Sequence, residues 1–429
     1  MVSAPTAYER VAARLDSISW RGIKPGLERT RALLRALGEP DRGLRGVLVA
    51  GTNGKGSVCA VVDSVARAAG LSTVLLTKPH LWSYTERFIH DGRPIAADGF
   101  ATLLDEVGAA AATLPEDLEP TAFEMLTAAG ILFAARARPD VLVCEVGLGG
   151  RLDSTNVLDL GIAVVTTVDL DHRHILGDTV PIIAREKAAI IKEGDVALTS
   201  AAGPALAEIE ARAREVHVPL TVVGRDVAVA GASRGWTGVR VSTEFAGAPL
   251  DVHAPLLGAH QVANVATAVA VCDALRRQGL GSIDRASVVA GASSVRWPGR
   301  LHWVRGSPGW LVDGAHNPAA MNALVTAARE LLGGHRVAVL FGVMRDKDRR
   351  PMLEALGRLH AAAFVATAPA VDRATSPEEL AADVPGAVVA ADIGAGMEIA
   401  AQLAGPDGAV IACGSLYLAG EVLHRLGAL

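Results

Sequence analysis

A glycine-rich segment that follows an apolar run is the part of this sequence best suited to bind phosphate. The run GVLVA at 46–50 leads directly into GTNGKGS at 51–57, and a helical pattern follows. A strand, a glycine-rich turn and a helix N-terminus place backbone N–H groups around a phosphate, and Lys55 adds a cation for the β- and γ-phosphates. The sequence therefore predicts a nucleotide-binding loop formed by Gly51, Thr52, Asn53, Gly54, Lys55, Gly56 and Ser57.

This loop departs from the usual pattern GxxxxGK[ST] at two positions. Val49 stands where the first glycine is expected, and Gly56 follows Lys55 where a hydroxyl residue is expected. A chance glycine-rich turn is the alternative interpretation. The strand-like run before the loop and the helical run after it favour the phosphate-binding interpretation.

Two further residues stand where a nucleotide enzyme holds its metal ion. Glu145 stands at the C-terminal side of the apolar run of 141–146, and a carboxylate at the end of a parallel strand is a good ligand for Mg²⁺. The alternative is a glutamate paired with a nearby Arg or Lys. His172 follows the run 162–168, where it is either a metal ligand or a hydrogen-bonded structural histidine.

Lys187 lies in a helical segment that is otherwise lined with Ile and Ala. The ordinary interpretation is a lysine that reaches solvent or pairs with Glu186 or Glu193. In an apolar setting, however, the neutral amine is favoured, and a neutral amine reacts with CO₂. Both interpretations remain open at this point.

The elements that must position these residues alternate between strand and helix. Apolar runs typical of buried parallel strands occur at 46–50, 73–76, 141–146 and 162–168. Helical segments are predicted at 56–69, 98–112, 121–137 and 178–192, the last with Asp178 and Thr179 as candidate caps.

The rest of the chain predicts an appendage and a second unit. Closely spaced short runs at 219–254 indicate an antiparallel appendage, and a helix is expected at 259–277. A second alternating series of about five strands begins near 310, and Pro298 and Gly299 interrupt both periodicities. We therefore predict two α/β domains, 1–297 and 298–429, with a site between them.

Composition excludes several classes of function. Half of the residues are apolar, and the net charge of −5 gives no reason to expect nucleic acid or an anionic membrane as a partner. The four cysteines are scattered, as in a reducing compartment, and no run resembles a signal peptide or a membrane span. We expect a soluble, cytoplasmic and monomeric protein.

The phosphate loop resembles that of the folylpolyglutamate and dihydrofolate synthases, a branch of the Mur ligase superfamily. Further segments resemble the same family in the same order and cover nearly the whole chain. They are TKPHLWSYTERF (77–88), FEMLTAAGILFA (123–134), EVGLGGRLDSTNV (145–157), DHRHILGDTVPIIAREKAAIIKEG (171–194), GAHQVANVATAVA (258–270), PGR (298–300), DGAHNP (313–318), DKD (346–348) and GSLYLAGE (414–421).

The resemblance implies a fold and a set of roles. The fold would be a P-loop-containing central domain with a mostly parallel sheet and a small antiparallel appendage, followed by a smaller Rossmann-like domain. Lys55, His172 and Lys187 would be catalytic, and ATP would also contact Asn264, Arg300, Asp313 and His316. Two Mg²⁺ ions would be held by Glu145, Ser57, His172 and a carbamylated Lys187. Acceptor and glutamate would lie near Lys78, His80, Phe123 and Ser415.

One departure from the family pattern concerns the first metal. Lys78 stands where the family has a serine that helps to bind this ion, and a protonated lysine cannot be a ligand. Either Glu145, ATP oxygens and water suffice, with Thr77 or Ser57 as substitutes, or the ammonium of Lys78 takes over part of the charge of the metal.

The implied reaction is an ATP-dependent ligation of L-glutamate to a folate or pteroate carboxylate through an acyl phosphate. A bifunctional enzyme that also makes dihydrofolate is favoured. The alternatives are a Mur-type ligase acting on another carboxylate and a P-loop nucleotide switch without ligase activity. The first should carry Thr after the loop lysine, where this chain has Gly56, and the second does not explain DGAHNP at 313–318.

Overall fold

The computed structural model describes residues 5–18, 22 and 24–429. In that part of the chain the strands form three sheets, called here the large sheet, the appendage sheet and the C-terminal sheet. The strands of the large sheet are β1 (Gly46–Ala50), β2 (Thr73–Leu76), β3 (Phe88–His90), β4 (Arg93–Pro94), β5 (Val141–Glu145), β6 (Ile162–Val165), β7 (Val196–Thr199) and β8 (Leu220–Val222).

The large sheet has the order β4-β3-β2-β5-β1-β6-β7-β8. All neighbours from β2 to β8 pair in parallel, whereas β3 and β4 form an antiparallel edge. The central strands β1 and β5 are buried along their whole length, which explains why they read as continuous apolar runs. In their register Val49 lies opposite Glu145, so the carboxylate stands beside the start of the phosphate loop.

Helices cover both faces of the large sheet. They are α1 (Ala7–Ile18), α2 (Glu28–Ala36), α3 (Lys55–Ala68), α4 (Ala97–Ala111), α5 (Ala122–Ala137), α6 (Arg173–Leu176), α7 (Val180–Ala188) and α8 (Gly203–Glu215). The predicted helices at 56–69, 98–112 and 121–137 are confirmed within one residue. The helix predicted at 178–192 is shorter, because its backbone turns after Ala188, and Thr179 is its N-cap residue without a side-chain cap.

The appendage sheet covers less of the chain than the predicted range 219–254. It consists of β9 (Ala230–Ser233), β10 (Val239–Phe245) and β11 (Ala248–Ala254), which pair in antiparallel fashion. The run at 220–222 was assigned to it wrongly, since this segment pairs in parallel with β7 as the edge of the large sheet. Two helices follow, α9 (Gln261–Arg277) and α10 (Arg285–Ser294), and both pack against α3.

The C-terminal sheet has the order β12-β13-β17-β14-β15-β16. Its elements are β12 (His302–Val304), β13 (Gly309–Val312), α11 (Pro318–Leu331), β14 (Val337–Phe341), α12 (Arg349–Gly357), β15 (Ala363–Ala366), α13 (Pro377–Ala382), β16 (Val388–Val389), α14 (Ile393–Ala404), β17 (Ala409–Cys413) and α15 (Leu416–Arg425). The estimate of about five strands missed β12, a three-residue edge strand that pairs antiparallel to β13. The mixed α/β class with a mostly parallel first sheet is confirmed.

Two features bear on the wider predictions. Among the described residues, no helix has both the length and the apolar character that crossing a membrane requires. All four cysteines are buried free thiols. The division of the chain at 297/298 stays a prediction, and the text below uses "N-terminal region" and "C-terminal region" for the residues before and after it.

Candidate functional site

A cleft of about 530 Å³ lies where loops from both regions meet. The residues that line it follow the carboxyl ends of strands, which is where open α/β sheets bind ligands. Its N-terminal wall contains the loop 51–57 with Lys78, Glu145, His172 and Lys187. Its C-terminal wall contains Arg300, Asp313, His316, Lys347, Arg373 and Ser415. Lys55, Glu145, His172 and Lys187 therefore line one cleft, as the sequence predicted.

Two glycines allow the phosphate loop to approach its neighbours. Gly51 has φ +148°, and a Cβ there would lie 1.8 Å from the Oγ1 of Thr166. Gly54 has φ +87°, and a Cβ there would lie 2.3 Å from the Oδ1 of Asn264. Any side chain at either position would clash, so the glycine spacing of this loop is a steric requirement.

Two lysines converge on one carbonyl oxygen of this loop. The Nζ of Lys55 donates to the carbonyl oxygen of Gly51 over 3.1 Å, and the Nζ of Lys187 donates to the same oxygen over 2.8 Å. Lys187 is buried, and this burial together with the charge of Lys55 lowers its pKa to about 7. The interpretation of Lys187 as a lysine that reaches solvent is wrong, because its side chain is buried. Its neighbour Glu186 pairs with Arg151.

Glu145 is a buried carboxylate on the same wall. Burial raises its pKa, and the nearby charge of Lys55 opposes that shift. One carboxylate oxygen accepts the backbone N–H of Lys78 over 3.2 Å. No ion pair of Glu145 with Arg or Lys occurs within the described residues, so the alternative of a simple structural salt bridge is not supported. The carboxylate is oriented toward the cleft without a cation of its own.

His172 belongs to a polar cluster that joins the two walls. Asp171 accepts a hydrogen bond from Lys347 over 2.7 Å, and the same ammonium lies 3.1 Å from the Nε2 of His172. Burial lowers the pKa of His172 to about 4. Burial raises the pKa of Asp171, but the charges of Lys347, His316 and His172 and the hydrogen bond from Lys347 together outweigh burial, so this pKa lies well below its usual range. His172 therefore faces the cleft as a neutral imidazole.

A pair of asparagines makes a second contact between the walls. The Nδ2 of Asn317 donates to the Oδ1 of Asn53 over 3.1 Å and to the Oδ2 of Asp171 over 3.3 Å. The sequence interpretation missed Asp171, Asn317 and Lys347 as site residues. Each lies in a segment that resembles the family. The resemblance therefore marked these segments as candidates for the site, but it did not assign a role to each residue.

On the C-terminal wall, polar side chains bond mainly to their own backbone. Asp313 is buried, and its two oxygens accept the N–H groups of Leu301 and Ala315, each over 2.7 Å. Burial raises the pKa of Asp313. Ser415 caps α15 by accepting the N–H of Leu418 over 3.1 Å.

Two basic residues of this wall also contact the local backbone. Nδ1 of His316 lies 2.8 Å from the carbonyl oxygen of Gly314, and burial lowers the pKa of His316 to about 4. Arg300 lines the cleft and donates to the carbonyl oxygen of Gly299 over 3.0 Å. Both remain accessible to a ligand in the cleft.

Two comparisons of sequence identify the family. The Mur ligase middle domain family matches residues 49–272, and the glutamate ligase domain family of the Mur ligases matches residues 299–416. The folylpolyglutamate synthase of Lacticaseibacillus casei is 34% identical over 405 residues, which cover 93% of this chain and 94% of that protein. The chain belongs to the folylpolyglutamate synthase/dihydrofolate synthase family.

A longer relative and a solved structure extend this result. A probable bifunctional folylpolyglutamate synthase/dihydropteroate synthase of Halobacterium salinarum is 36% identical over 97% of this chain, and the chain spans about half of its length, 51%. The crystal structure of the Mycobacterium tuberculosis folylpolyglutamate synthase, complexed with ADP and AMPPCP, matches with a TM-score of 0.90. It is 30% identical, and the match covers 98% of both chains.

This member of the folylpolyglutamate synthase/dihydrofolate synthase family has a steric reason for the missing loop hydroxyl. A Cβ at Gly56 would lie 2.8 Å from the indole ring of Trp297. Trp297 belongs to the segment that connects the two regions, so the ring occupies the space that a serine or threonine would need. Ser57 is buried at the end of the loop, and the buried Asn264 lines the cleft beside it and donates to Gln261 over 2.8 Å.

The structure separates the predicted acceptor residues into two groups. Lys78 reaches the cleft, and its ammonium lies 4.7 Å from the ring centroid of Phe123 and 3.4 Å from the Oγ1 of Thr127. His80 lies outside the cleft lining, where it accepts a hydrogen bond from Arg87 over 2.8 Å. Burial lowers the pKa of His80 to about 3. Phe123 also lies behind the wall, against Gly147.

Proposed function

We propose that this chain is an ATP-dependent ligase that joins L-glutamate to a carboxylate of a folate or pteroate. One observation carries the proposal: the ammonium groups of Lys55 and Lys187 converge on the carbonyl oxygen of Gly51, in a cleft that also contains the buried Glu145. Family membership over nearly the whole chain supports the substrate class.

The chemistry requires activation because a carboxylate and an ammonium do not condense in water. ATP would convert the acceptor carboxylate into an acyl phosphate, and the amine of glutamate would attack that carbonyl and displace phosphate. Lys55 is placed to neutralise charge that develops on the transferring phosphoryl group, which is mainly an electrostatic task. Asn264, Arg300, Asp313 and His316 are proposed to position the rest of the nucleotide.

The residues of the N-terminal wall fit a magnesium ion. A buried carboxylate without a cation partner, Glu145, and a neutral imidazole, His172, supply oxygen and nitrogen donors. No group of three or more His, Cys, Asp or Glu side chains able to bind a metal occurs among the described residues. The remaining ligands would therefore come from Ser57, nucleotide oxygens and water, as is usual for Mg²⁺. The ion would withdraw charge from the phosphates when bound.

Two magnesium ions and a carbamylated Lys187 form the finer part of this proposal. The pKa of Lys187 lies near 7, so a large fraction of its amine is neutral at physiological pH and able to react with CO₂. The resulting anion would lie beside Gly51, where it is able to approach a second cation. Carbon-13 NMR of the protein in ¹³C-bicarbonate should show a carbamate signal that is absent from the Lys187→Met variant.

Substrate positions follow from the two walls. We propose that the acceptor lies near Lys78, whose ammonium stands 4.7 Å from the ring centroid of Phe123, whereas His80 pairs with Arg87 outside the cleft lining. The amine donor would lie near the C-terminal wall, where Ser415 stays a predicted contact. The buried free cysteines suit a cytoplasmic enzyme, and monomeric behaviour in light scattering is expected.

Substrate-dependent phosphate release tests the proposed function directly. Release from ATP should require both L-glutamate and a pteroate or folate, and the product should gain one glutamate in mass spectrometry. Dihydropteroate and tetrahydrofolate are assayed side by side, because turnover of both would support a bifunctional enzyme. Equal ATP hydrolysis with and without these substrates would instead indicate a nucleotide switch.

A further inference from the structure

A hydrogen-bond donor without a partner lies beside the nucleotide loop. The Nε1 atom of Trp297 is buried, and it has no hydrogen-bond partner within the part of the chain that the structure describes. The indole belongs to the segment 295–301, which runs from the end of α10 to the start of β12. A buried N–H group without a partner costs free energy in the folded protein, so its retention points to a partner that arrives with a ligand.

The contact with Gly56 shows which part of the loop this donor faces. A Cβ at position 56 would lie 2.8 Å from the Cζ2 of Trp297, 2.9 Å from its Nε1 and 3.0 Å from its Cε2. These three atoms are bonded in sequence and form the edge of the indole that carries the N–H group. Gly56 itself lines the cleft. The donor edge of the ring therefore faces the Cβ side of a cleft residue.

This is the side from which a phosphate loop of the usual pattern acts on its ligand. There, the residue after the lysine directs a hydroxyl toward the Mg²⁺ ion on the phosphates. Gly56 has no side chain, and the Nε1 of Trp297 stands 2.9 Å from the place where such a side chain would begin. An indole nitrogen is a donor only, so it cannot bind a metal ion, but it can donate to a phosphate oxygen.

The segment that carries the indole is anchored on both sides. Before it, α10 packs against α3, and the Oγ of Ser64 donates to the carbonyl oxygen of Gly291 over 2.8 Å. After it, the N–H of Leu301 donates to the Oδ2 of Asp313 over 2.7 Å. These contacts hold Trp297 against the start of α3, so the position of its donor beside the loop is built into the fold.

We propose that the indole N–H of Trp297 donates a hydrogen bond to a phosphate oxygen of the bound nucleotide. The N-cap residue of α3 is Gly54, which has no side chain to cap the first N–H groups of the helix, so these groups are left for the same phosphates. Trp297 precedes Arg300, which lines the cleft, by three residues. The bond to phosphate would therefore also hold the segment that brings Arg300 to the nucleotide.

Binding of ADP in the presence of EDTA tests this inference, because it involves neither metal nor turnover. The inference deepens the proposed function and rests on it only in placing the nucleotide phosphates at the loop 51–57. Trp297→Phe keeps an aromatic ring and removes the N–H group. Its dissociation constant for ADP in isothermal titration calorimetry should rise about tenfold, since a hydrogen bond to a charged oxygen is lost. An unchanged dissociation constant would overturn the inference.

Two further variants separate the donor from the bulk of the ring. Trp297 is replaced by 3-benzothienylalanine, which has the shape of tryptophan with a sulfur in place of the N–H group. This protein should bind ADP as weakly as Trp297→Phe, and wild-type affinity would show that the ring packs without donating. Trp303→Phe makes the same change in β12, where the ring centroid lies 4.5 Å from that of Trp236. It should bind ADP as the wild type does, and equal weakening would also overturn the inference.

The stability of the benzothienylalanine protein provides an independent measurement. Its free energy of unfolding in urea, without nucleotide, should be unchanged or higher, because no hydrogen bond within the chain is lost. A lower free energy of unfolding would show that the N–H group has a structural partner, and the inference would be wrong.

The role of the metal and the proposed function are tested separately. The ratio of the ADP dissociation constants of Trp297→Phe and wild type should be the same in Mg²⁺ as in EDTA. A difference that appears only with Mg²⁺ would reject a bond to phosphate. Weaker ADP binding by Trp297→Phe, in a protein whose wild type releases no glutamate-dependent phosphate, would support the donor and reject the ligase. Normal ligase activity with unchanged ADP binding in Trp297→Phe would do the reverse.

Discussion

The two walls of the cleft use buried polar groups in different ways. On the N-terminal wall, Glu145 has no ion pair among the described residues, and Lys187 bonds to a single carbonyl oxygen. On the C-terminal wall, Asp313 and Ser415 bond to backbone N–H groups of their own loops. A buried charge without a partner is costly, so its retention indicates work on a ligand. A buried polar group that holds its own loop indicates a structural task.

The largest expected effect is on the N-terminal wall, at Lys55. The Lys55→Ala variant should lose about 10³-fold in kcat/KM for glutamate-dependent phosphate release, since it removes a cation that stabilises charge in the transition state. Its thermal midpoint should stay close to that of the wild type. If Lys55→Ala kept most of its activity, the reaction would not depend on the N-terminal wall. The proposed difference between a reactive wall and a structural wall would then be wrong.

The next largest effect is expected when Glu145 is replaced, which should lower activity without lowering stability. Glu145→Gln should lower kcat/KM by about 10²-fold and weaken the dependence on Mg²⁺, because an amide is a poorer ligand than a carboxylate. The free energy of unfolding should be unchanged or higher, since the neutral amide avoids the burial of a charge. Phosphate release across a Mg²⁺ titration and urea unfolding measure the two quantities. A loss of stability would make Glu145 a structural residue.

Replacing Asp313 on the C-terminal wall should lower stability, in contrast to Glu145. The amide nitrogen of Asp313→Asn cannot accept from Leu301 or Ala315, so the free energy of unfolding should fall by about 1–3 kcal/mol. Urea unfolding of this variant, beside Glu145→Gln, compares the walls directly. If Asp313→Asn is as stable as the wild type yet inactive, both walls carry reactive groups.

The smallest effect is expected at Ser415. Ser415→Ala should lose about 1 kcal/mol of stability through the missing cap of α15. Ser415→Asp keeps an acceptor and is the matched control. If Ser415 also contacts the amine donor, as proposed, the KM for glutamate should rise in Ser415→Ala. An unchanged KM would show that this serine only caps α15.

The features that the sequence predicted correctly are those formed by residues that are neighbours in the chain. The run 46–50, the loop 51–57 and α3 are continuous in the chain, so strand, turn and helix were all readable. The run at 220–222 and β12 are three residues long, too short for a periodicity, and only their partners decide which sheet they join.

The contacts across the cleft were beyond such patterns. Asp171 and Lys347 are far apart in sequence, and nothing local indicates that their side chains meet. For the same reason, the hydrogen bond between His80 and Arg87 was not visible from the segment 77–88. The segments carried the family resemblance, whereas the partner of each side chain required the tertiary structure.

The indole of Trp297 against Gly56 has a practical consequence for protein engineering. Restoring the common hydroxyl by Gly56→Ser would force an added atom into the ring, so this single change should perturb the connecting segment as well. A smaller residue at position 297 would have to accompany it. The composition of the nucleotide loop and the identity of a distant linker residue are thus expected to change only together.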